Sequence, residues 1–174
     1  MPSDQSRSGA GFPVIERPWE EREEMKFGEG LAGTRFFKGF EKAQIDALMG
    51  LAKEVVYPVG KEIVSEGDPA ETFYILLAGV VSLKMKAKEH GELVLSTLRQ
   101  TGEIFGWSAL VEGGRSTASA ECLEECYVLA FRRKDLENLF AKEPQLGYQF
   151  MKKLASLISR RLENARALLL KEIS

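Results

Sequence analysis

A glycine-rich segment at residues 102–120 has the composition of an anion-binding loop. It contains Gly106 and the pair Gly113-Gly114, and Arg115 follows that pair directly. Glycine lets the backbone approach a ligand closely, and the N–H groups at the start of a short helix suit an anion. A guanidinium beside them adds bidentate, charge-assisted hydrogen bonds to a phosphate. The segment predicts a phosphate-binding loop, although its composition equally fits a loop that only closes the fold.

The residues that would position this loop follow a period of two. Apolar runs such as 73–77 and 80–85 are separated by turn residues at 58–60 and 66–69. Short strands joined by glycine-centred turns are typical of an antiparallel barrel or jelly roll. The sequence therefore predicts a mainly β fold, an antiparallel jelly-roll β-barrel with flanking helices, over residues 54–133.

Helical spacing flanks the strands on both sides, so we expect a helical bundle formed by residues 31–53 and 133–172. Pro144 suits the first turn of a long C-terminal helix that runs to about Lys171. The apolar stripe of this helix is too wide for one surface, so part of it is expected to pair with a second copy, forming a homodimer. The alternative is that the helix folds back entirely on its own barrel. The stripe comprises Phe150, Met151, Leu154, Leu157, Ile158, Leu162, Ala165, Leu168 and Leu169.

Residues 1–30 are rich in serine and glycine and then in charge, which indicates a flexible or partly ordered N-terminal arm. Residues 31–174 then form one domain. The sequence has neither a signal-peptide core nor an apolar run long enough to span a bilayer, so we expect a cytoplasmic protein without a membrane segment. Cys122 and Cys126 fit that compartment as buried free thiols.

The charge pattern bears on nucleic acids as partners. The formal net charge is -2 and the isoelectric point is near 5.7, which argues against a dedicated nucleic-acid binder. The last helix is nevertheless basic. We interpret that excess as a solvated helix face, with a nucleic-acid surface as the alternative. The cations are Lys152, Lys153, Arg160, Arg161, Arg166 and Lys171.

The residue types of this chain give little support for an enzyme. Metal-dependent jelly-roll enzymes need several histidines and a carboxylate, whereas this chain has the single histidine His90. Cys122 and Cys126 are too few for a four-ligand zinc site, and a cysteine nucleophile would need a nearby base. The sequence predicts no catalytic residues, no metal site and no required cofactor.

The order of several residues resembles the cyclic-nucleotide-binding domain family over about residues 34–172. The resemblance implies a jelly-roll barrel flanked by helices, with a phosphate-binding cassette at 105–119 and a C-terminal helix for dimerisation or signalling. The residues that carry it are Gly60, Gly67-Asp68, Tyr74-Ile75, Gly79, Leu98, Gly102, Phe105-Gly106, Ala109-Leu110 and Ala118-Ser119.

The resemblance implies cyclic AMP or cyclic GMP as the ligand. Trp107 stands where the family usually has a glutamate for the ribose 2′-hydroxyl, and it would either face the base or fill the pocket. The family's phosphate arginine aligns with Ser116 without a gap, or with Arg115 after a one-residue deletion; both alignments stay open. The implied ligand-binding residues are Phe105, Gly106, Trp107, Ser108, Ala109, Arg115, Ser116 and Thr117.

Two functions follow from these observations. The first is a regulatory module that binds a cyclic nucleotide or a related phosphate ligand in the barrel and signals through the C-terminal helix to a protein partner. The second is a degenerate, ligand-free scaffold for dimerisation or protein interaction. Because the sequence stops at Ser174, we expect no helix-turn-helix and no direct DNA binding by that device.

Overall fold

Nine strands form two antiparallel sheets in the computed structural model, which describes residues 15–18, 31–89 and 91–173. The strands are β1 (Ile15–Pro18), β2 (Lys53–Tyr57), β3 (Glu62–Val64), β4 (Thr72–Ala78), β5 (Val81–Ala87), β6 (Gly91–Leu98), β7 (Ile104–Phe105), β8 (Ser119–Cys122) and β9 (Cys126–Arg132). The first sheet has the order β1-β2-β9-β4-β7, and the second has the order β3-β8-β5-β6.

Among the elements of the described ranges, three α-helices flank the sheets, namely α1 (Lys42–Met49), α2 (Arg133–Lys142) and α3 (Pro144–Ile173), and a 3₁₀ helix spans Trp107–Leu110. The predicted long helix beginning at Pro144 is confirmed and ends at Ile173. Proline suits this first turn because its missing N–H would have no partner there. The predicted mainly β fold with flanking helices is likewise confirmed.

The predicted closed barrel is not found among the described strands, which instead leave each sheet with two edges. The chain repeatedly changes sheets. It does so at every step from β2 to β5, and again at every step from β6 through β7 and β8 to β9. Gly60 and Gly79 adopt positive φ at two of these changes. A left-handed turn redirects the strand, so its ladder is interrupted rather than continued around a barrel. The jelly-roll arrangement stays a prediction.

Apolar side chains form two cores, one on each side of the first sheet. Tyr74 and Leu76 of β4 point between the two sheets, where they meet Val81, Leu98 and Val128. The alternate residues of β4 point the other way, into a core shared with the helices. That core includes Phe73, Ile75, Leu77, Phe36, Phe37, Phe131, Leu146, Phe150 and Leu154. Burial on both faces explains why β4 reads as a continuous apolar run instead of an alternating one.

Only a short part of the predicted N-terminal arm, residues 1–30, is described. The backbone of β1 pairs antiparallel with β2, and Ile15 lies opposite Val56. The rest of the arm, and with it the prediction that it is flexible or partly ordered, lies outside the described residues.

Gly79 provides a test of the turn that carries the chain from β4 to β5. Its φ is +95°, and a Cβ placed there would lie 2.3 Å from the Glu125 carbonyl oxygen. We expect Gly79→Ala to lower the free energy of unfolding by about 2–5 kcal/mol, since backbone strain and overpacking add. Gly60→Ala is the matched control, because Gly60 has φ +82° and no atom within 4 Å of its added Cβ. It should cost only about 1–2 kcal/mol in urea denaturation, and equal losses would contradict the steric explanation.

Candidate functional site

The predicted phosphate-binding loop leaves the first sheet after β7. Gly106 has φ +72°, and a Cβ there would lie 2.8 Å from the Thr72 carbonyl oxygen and 2.9 Å from the Tyr74 ring. Glycine is therefore required both by the left-handed backbone and by the close approach to β4. The 3₁₀ helix follows at once, with the Ala109 N–H donating to the Gly106 carbonyl oxygen at 3.2 Å.

Backbone hydrogen bonds tie the far end of the loop to the β3–β4 connection. The Ser116 N–H donates to the Asp68 carbonyl oxygen at 2.9 Å, and the Gly67 N–H donates to the Ser116 carbonyl oxygen at 2.7 Å. The Ala70 N–H likewise donates to the Gly114 carbonyl oxygen at 2.7 Å. Residues 114–116 are thus held as a short ladder beside residues 67–70, which presents the loop to the space between the sheets.

Two adjoining cavities lie beside this loop, with Val64, Gly106 and Ser116 in the walls of both. The smaller has a volume of about 30 Å³, and the larger has a volume of about 180 Å³. Six of the eight predicted site residues line the smaller cavity, namely Phe105, Gly106, Trp107, Ser108, Ser116 and Thr117. The structure therefore brings most of the predicted site together.

Ala109 and Arg115 lie apart from this group. Ala109 is fully buried in the 3₁₀ helix. Arg115 is exposed, and its Nη1 donates to the Gly67 carbonyl oxygen at 2.7 Å. Ser116, the alternative position for the phosphate arginine, is 5% exposed and borders both cavities. The gap-free alignment therefore places a hydroxyl, rather than a guanidinium, against the cavities.

Neither cavity has a lysine or arginine among its described lining residues, while Asp68 and Glu71 line the larger one. Tyr74 also lines the larger cavity, and its ring stacks on Phe105 with a centroid distance of 4.9 Å. Burial raises the pKa of the Tyr74 phenol, so the hydroxyl stays neutral at physiological pH. An anion in these cavities would be received by backbone N–H groups and hydroxyls.

Arg161 of α3 reaches the site, although the sequence pattern placed it among the solvated cations. Its guanidinium carbon lies 4.5 Å from the centroid of the Trp107 ring. Its Nη2 donates to the Ile104 carbonyl oxygen at 2.6 Å. Burial lowers the pKa of Arg161 to about 10, against the opposing effect of Glu103. The solvated-face interpretation is wrong for this residue because the ring of Trp107, distant in sequence, supplies its surroundings.

Cys122 and Cys126 are buried and form no disulfide, as predicted. The neighbouring Cys126 thiol, together with burial, raises the pKa of Cys122 above the ordinary range of a thiol, which disfavours the nucleophilic thiolate.

His90 lies outside the described residues. Within the described ranges, no three histidine, cysteine, aspartate or glutamate side chains are grouped so that they could hold a metal ion. None of the helices described is long and apolar enough to cross a membrane.

The described residues thus form two packed sheets with helices on one face and a glycine-bounded loop beside a cavity. The comparison with protein families is specific: the profile of the cyclic nucleotide-binding domain matches residues 54–143. This chain belongs to that family. The matched range includes both ends of the loop and the strands that hold it.

Individual relatives agree with this assignment. A cyclic AMP receptor protein from Thermus thermophilus is 30% identical over 135 residues, covering 78% of this chain and 60% of that protein. A CRP-like cAMP-activated global transcriptional regulator from Mycobacterium tuberculosis is 28% identical, covering 83% of this chain and 64% of that protein. The chain thus spans less than two thirds of the length of these two regulators.

A solved structure shows the likeness of fold. A cyclic nucleotide-binding domain from Methylobacillus flagellatus superposes with a TM-score of 0.80, covering 91% of this chain and 89% of that chain at 19% sequence identity. At this identity the likeness concerns the fold alone. The architecture described above is therefore that of a cyclic nucleotide-binding domain.

The close approach of Gly106 to β4 can be tested by hydrogen exchange. We expect Gly106→Ala to push β7 away from β4, since the new Cβ would overlap the Thr72 carbonyl oxygen. Amides of residues 104–110 should then exchange at least about tenfold faster. Gly113→Ala is the control in the same loop, because Gly113 has φ +82° and open space around an added Cβ. Similar acceleration in both variants would show that backbone strain alone, without the contact, explains the effect.

Proposed function

We propose that this chain is a cytoplasmic sensor module that binds a cyclic nucleotide, cyclic AMP or cyclic GMP, and signals through α3. The observation that carries the proposal is the loop that follows β7. Its left-handed Gly106 and its buried Ser116 border the cavities, within the residues matched by the family profile. The names of the two regulators above, a cyclic AMP receptor and a cAMP-activated regulator, support the ligand class.

The residues around the cavities divide the expected ligand contacts into two kinds. Ser108, Ser116 and Thr117 supply hydroxyls for a cyclic phosphate, together with the N–H groups of the loop. Val64 and Leu83 supply apolar surface for a base. We propose a binding role for these groups, which can receive and orient a ligand, and no catalytic one.

Arg115 has two available roles. In the structure it holds the β3–β4 connection through the Gly67 carbonyl oxygen, away from both cavities. Because Arg115 lines neither cavity, it would contact a bound phosphate only if its side chain turned toward them. A hydrogen bond to a charged group contributes about 1.5–3 kcal/mol. A site in which Arg115 stays on Gly67 would therefore bind a phosphate about one to two decades more weakly.

A ligand-free scaffold is the second candidate, and the size of the smaller cavity favours it. A volume of about 30 Å³ has room for only one or two water molecules. Pockets for drug-sized ligands measure about 300–1,000 Å³. Trp107 lines this cavity and would permanently fill the ribose subsite under that reading.

Thermal unfolding with cyclic AMP, cyclic GMP and cyclic dinucleotides separates the two candidates. A ligand at 100 times its Kd adds about 2.7 kcal/mol, and we expect the Tm to rise by about 5–10 °C with at least one nucleotide. No rise with any of them at millimolar concentration would favour the scaffold.

The same measurement assigns the phosphate contact. If Arg115→Ala abolishes the nucleotide-induced rise in Tm, Arg115 contacts the ligand. If only Ser116→Ala abolishes it, Ser116 occupies the position of the phosphate contact, as the gap-free alignment has it. Arg35→Ala, which removes another exposed cation, should keep the full rise.

Homodimerisation through α3 is part of this proposal. Phe150 and Leu154 are buried in the helical core, whereas a second set of residues on the helix recurs every seven positions and is exposed. Apolar residues in a heptad pattern are typical of a coiled-coil seam. The exposed set comprises Tyr148, Ala155, Leu162 and Leu169 at one heptad position and Met151 and Ala165 at the other, and the partly exposed Ile158 lies between these two.

Single charges on α3 test this seam. Leu162 is 61% exposed, so Leu162→Glu should leave the fold intact but convert a dimer into a monomer, because the charge would be buried between two copies. Ala167 is exposed on the opposite side of the heptad, and Ala167→Glu should remain dimeric. Sedimentation equilibrium measures the mass of each variant. A wild-type monomer, or a dimeric Leu162→Glu protein, would refute the seam.

A further inference from the structure

Arg161 of α3 contacts the candidate phosphate-binding loop on both sides of Gly106. The Arg161 guanidinium carbon lies 4.5 Å from the Trp107 ring centroid, which is cation–π distance. Its Nη2 donates to the carbonyl oxygen of Ile104 at 2.6 Å. Because Gly106 separates these two contacts in sequence, Arg161 connects the end of β7 and the start of the 3₁₀ helix to α3.

The position of Arg161 includes one unfavourable contribution, the burial of its Nη1 atom. Its Nη1 is buried and has no hydrogen-bond partner among the described residues. A buried donor on a charged group loses its hydration without compensation, which is unfavourable. Burial accordingly lowers the pKa of Arg161 to about 10. The contacts with Trp107 and with the Ile104 carbonyl oxygen therefore offset the unfavourable burial of Nη1.

Trp107 lies where it restricts the smaller cavity. Trp107 lines this cavity, whose volume is about 30 Å³, and packs against the helical core. The Arg161 guanidinium lies over the same indole ring. A nucleotide needs a pocket closer to the range of about 300–1,000 Å³. Enlarging the cavity at this wall requires the Trp107 ring to move, and that movement breaks the contact with the Arg161 guanidinium.

We propose that Trp107 and Arg161 form a latch that closes the cavity in the ligand-free protein, so that ligand entry displaces Trp107 and releases α3 at Arg161. The latch rests on the proposed function, since it assumes that a ligand enters at this wall. It adds a reason for the coupling: the ligand favours the open arrangement because only that arrangement has room for it.

The covering of Trp107 by Arg161 is tested in the ligand-free protein. In a Trp19→Phe background Trp107 is the sole tryptophan, so acrylamide quenching of fluorescence reports its exposure. We expect Arg161→Met to raise the quenching constant about twofold, because the guanidinium no longer covers the ring. Arg166→Met, which removes an exposed cation from the same helix, should leave the constant unchanged. Equal quenching in the wild type and in Arg161→Met would overturn the latch.

Coupling is tested by calorimetric titration with cyclic AMP and cyclic GMP. Breaking the latch removes an interaction that the ligand must displace, so Arg161→Met should bind roughly tenfold more tightly than the wild type. Hydrogen exchange at residues 157–165 should be faster in Arg161→Met than in Arg166→Met before ligand is added.

The outcomes separate the latch from the proposed function. Unchanged or weaker affinity in Arg161→Met would overturn the latch, while the binding itself would support the nucleotide proposal. If neither the wild type nor any variant binds a nucleotide, the proposed function fails. Ligand-driven release then fails with it, and the quenching measurement alone decides whether the latch closes the cavity.

Discussion

Strand β4 is buried on both faces, and this double burial fixes the positions of the elements around it. One face contributes Phe73, Ile75 and Leu77 to the core shared with the helices, and the other contributes Tyr74 and Leu76 to the core between the sheets. Because each core needs its share of these side chains, β4 cannot shift by one residue without exchanging the two sets. Its pairing with β9 and β7 is therefore held by hydrophobic burial as well as by hydrogen bonds.

The candidate site inherits its geometry from that strand. The Thr72 carbonyl oxygen and the Tyr74 ring leave no room for a side chain at Gly106, so the chain turns sharply where β7 ends. Tyr74 also stacks on Phe105, which holds the start of the loop in the inter-sheet core. The loop is consequently packed tightly against β4 at Gly106, and its Trp107 and Ser116 border the smaller cavity. Arg161 then connects it to α3, an arrangement suited to transmit occupancy of the cavity.

Local patterns were enough to predict much of this molecule. The period of two over residues 54–133 predicted the antiparallel strands, and Pro144 predicted the start of α3. Six residues of the predicted site share one cavity wall because the loop is a single short segment. β7 was not predicted, since a two-residue strand has no measurable period. The described strands do not close into a barrel, because glycine turns mark where the direction changes but not which sheet receives the next strand.

The order of residues along the chain was sufficient to predict the class of fold, the positions of the turns and the segment that forms the loop. Backbone preference and hydrophobic period are properties of neighbouring residues, so they can be seen in the order of the chain. The hydrogen bond from Arg115 to the Gly67 carbonyl oxygen, and the contacts of Arg161 with Ile104 and Trp107, became visible only in the folded protein. The two hydrogen bonds join residues 48 and 57 positions apart, and such contacts depend on how the elements pack and not on any local preference.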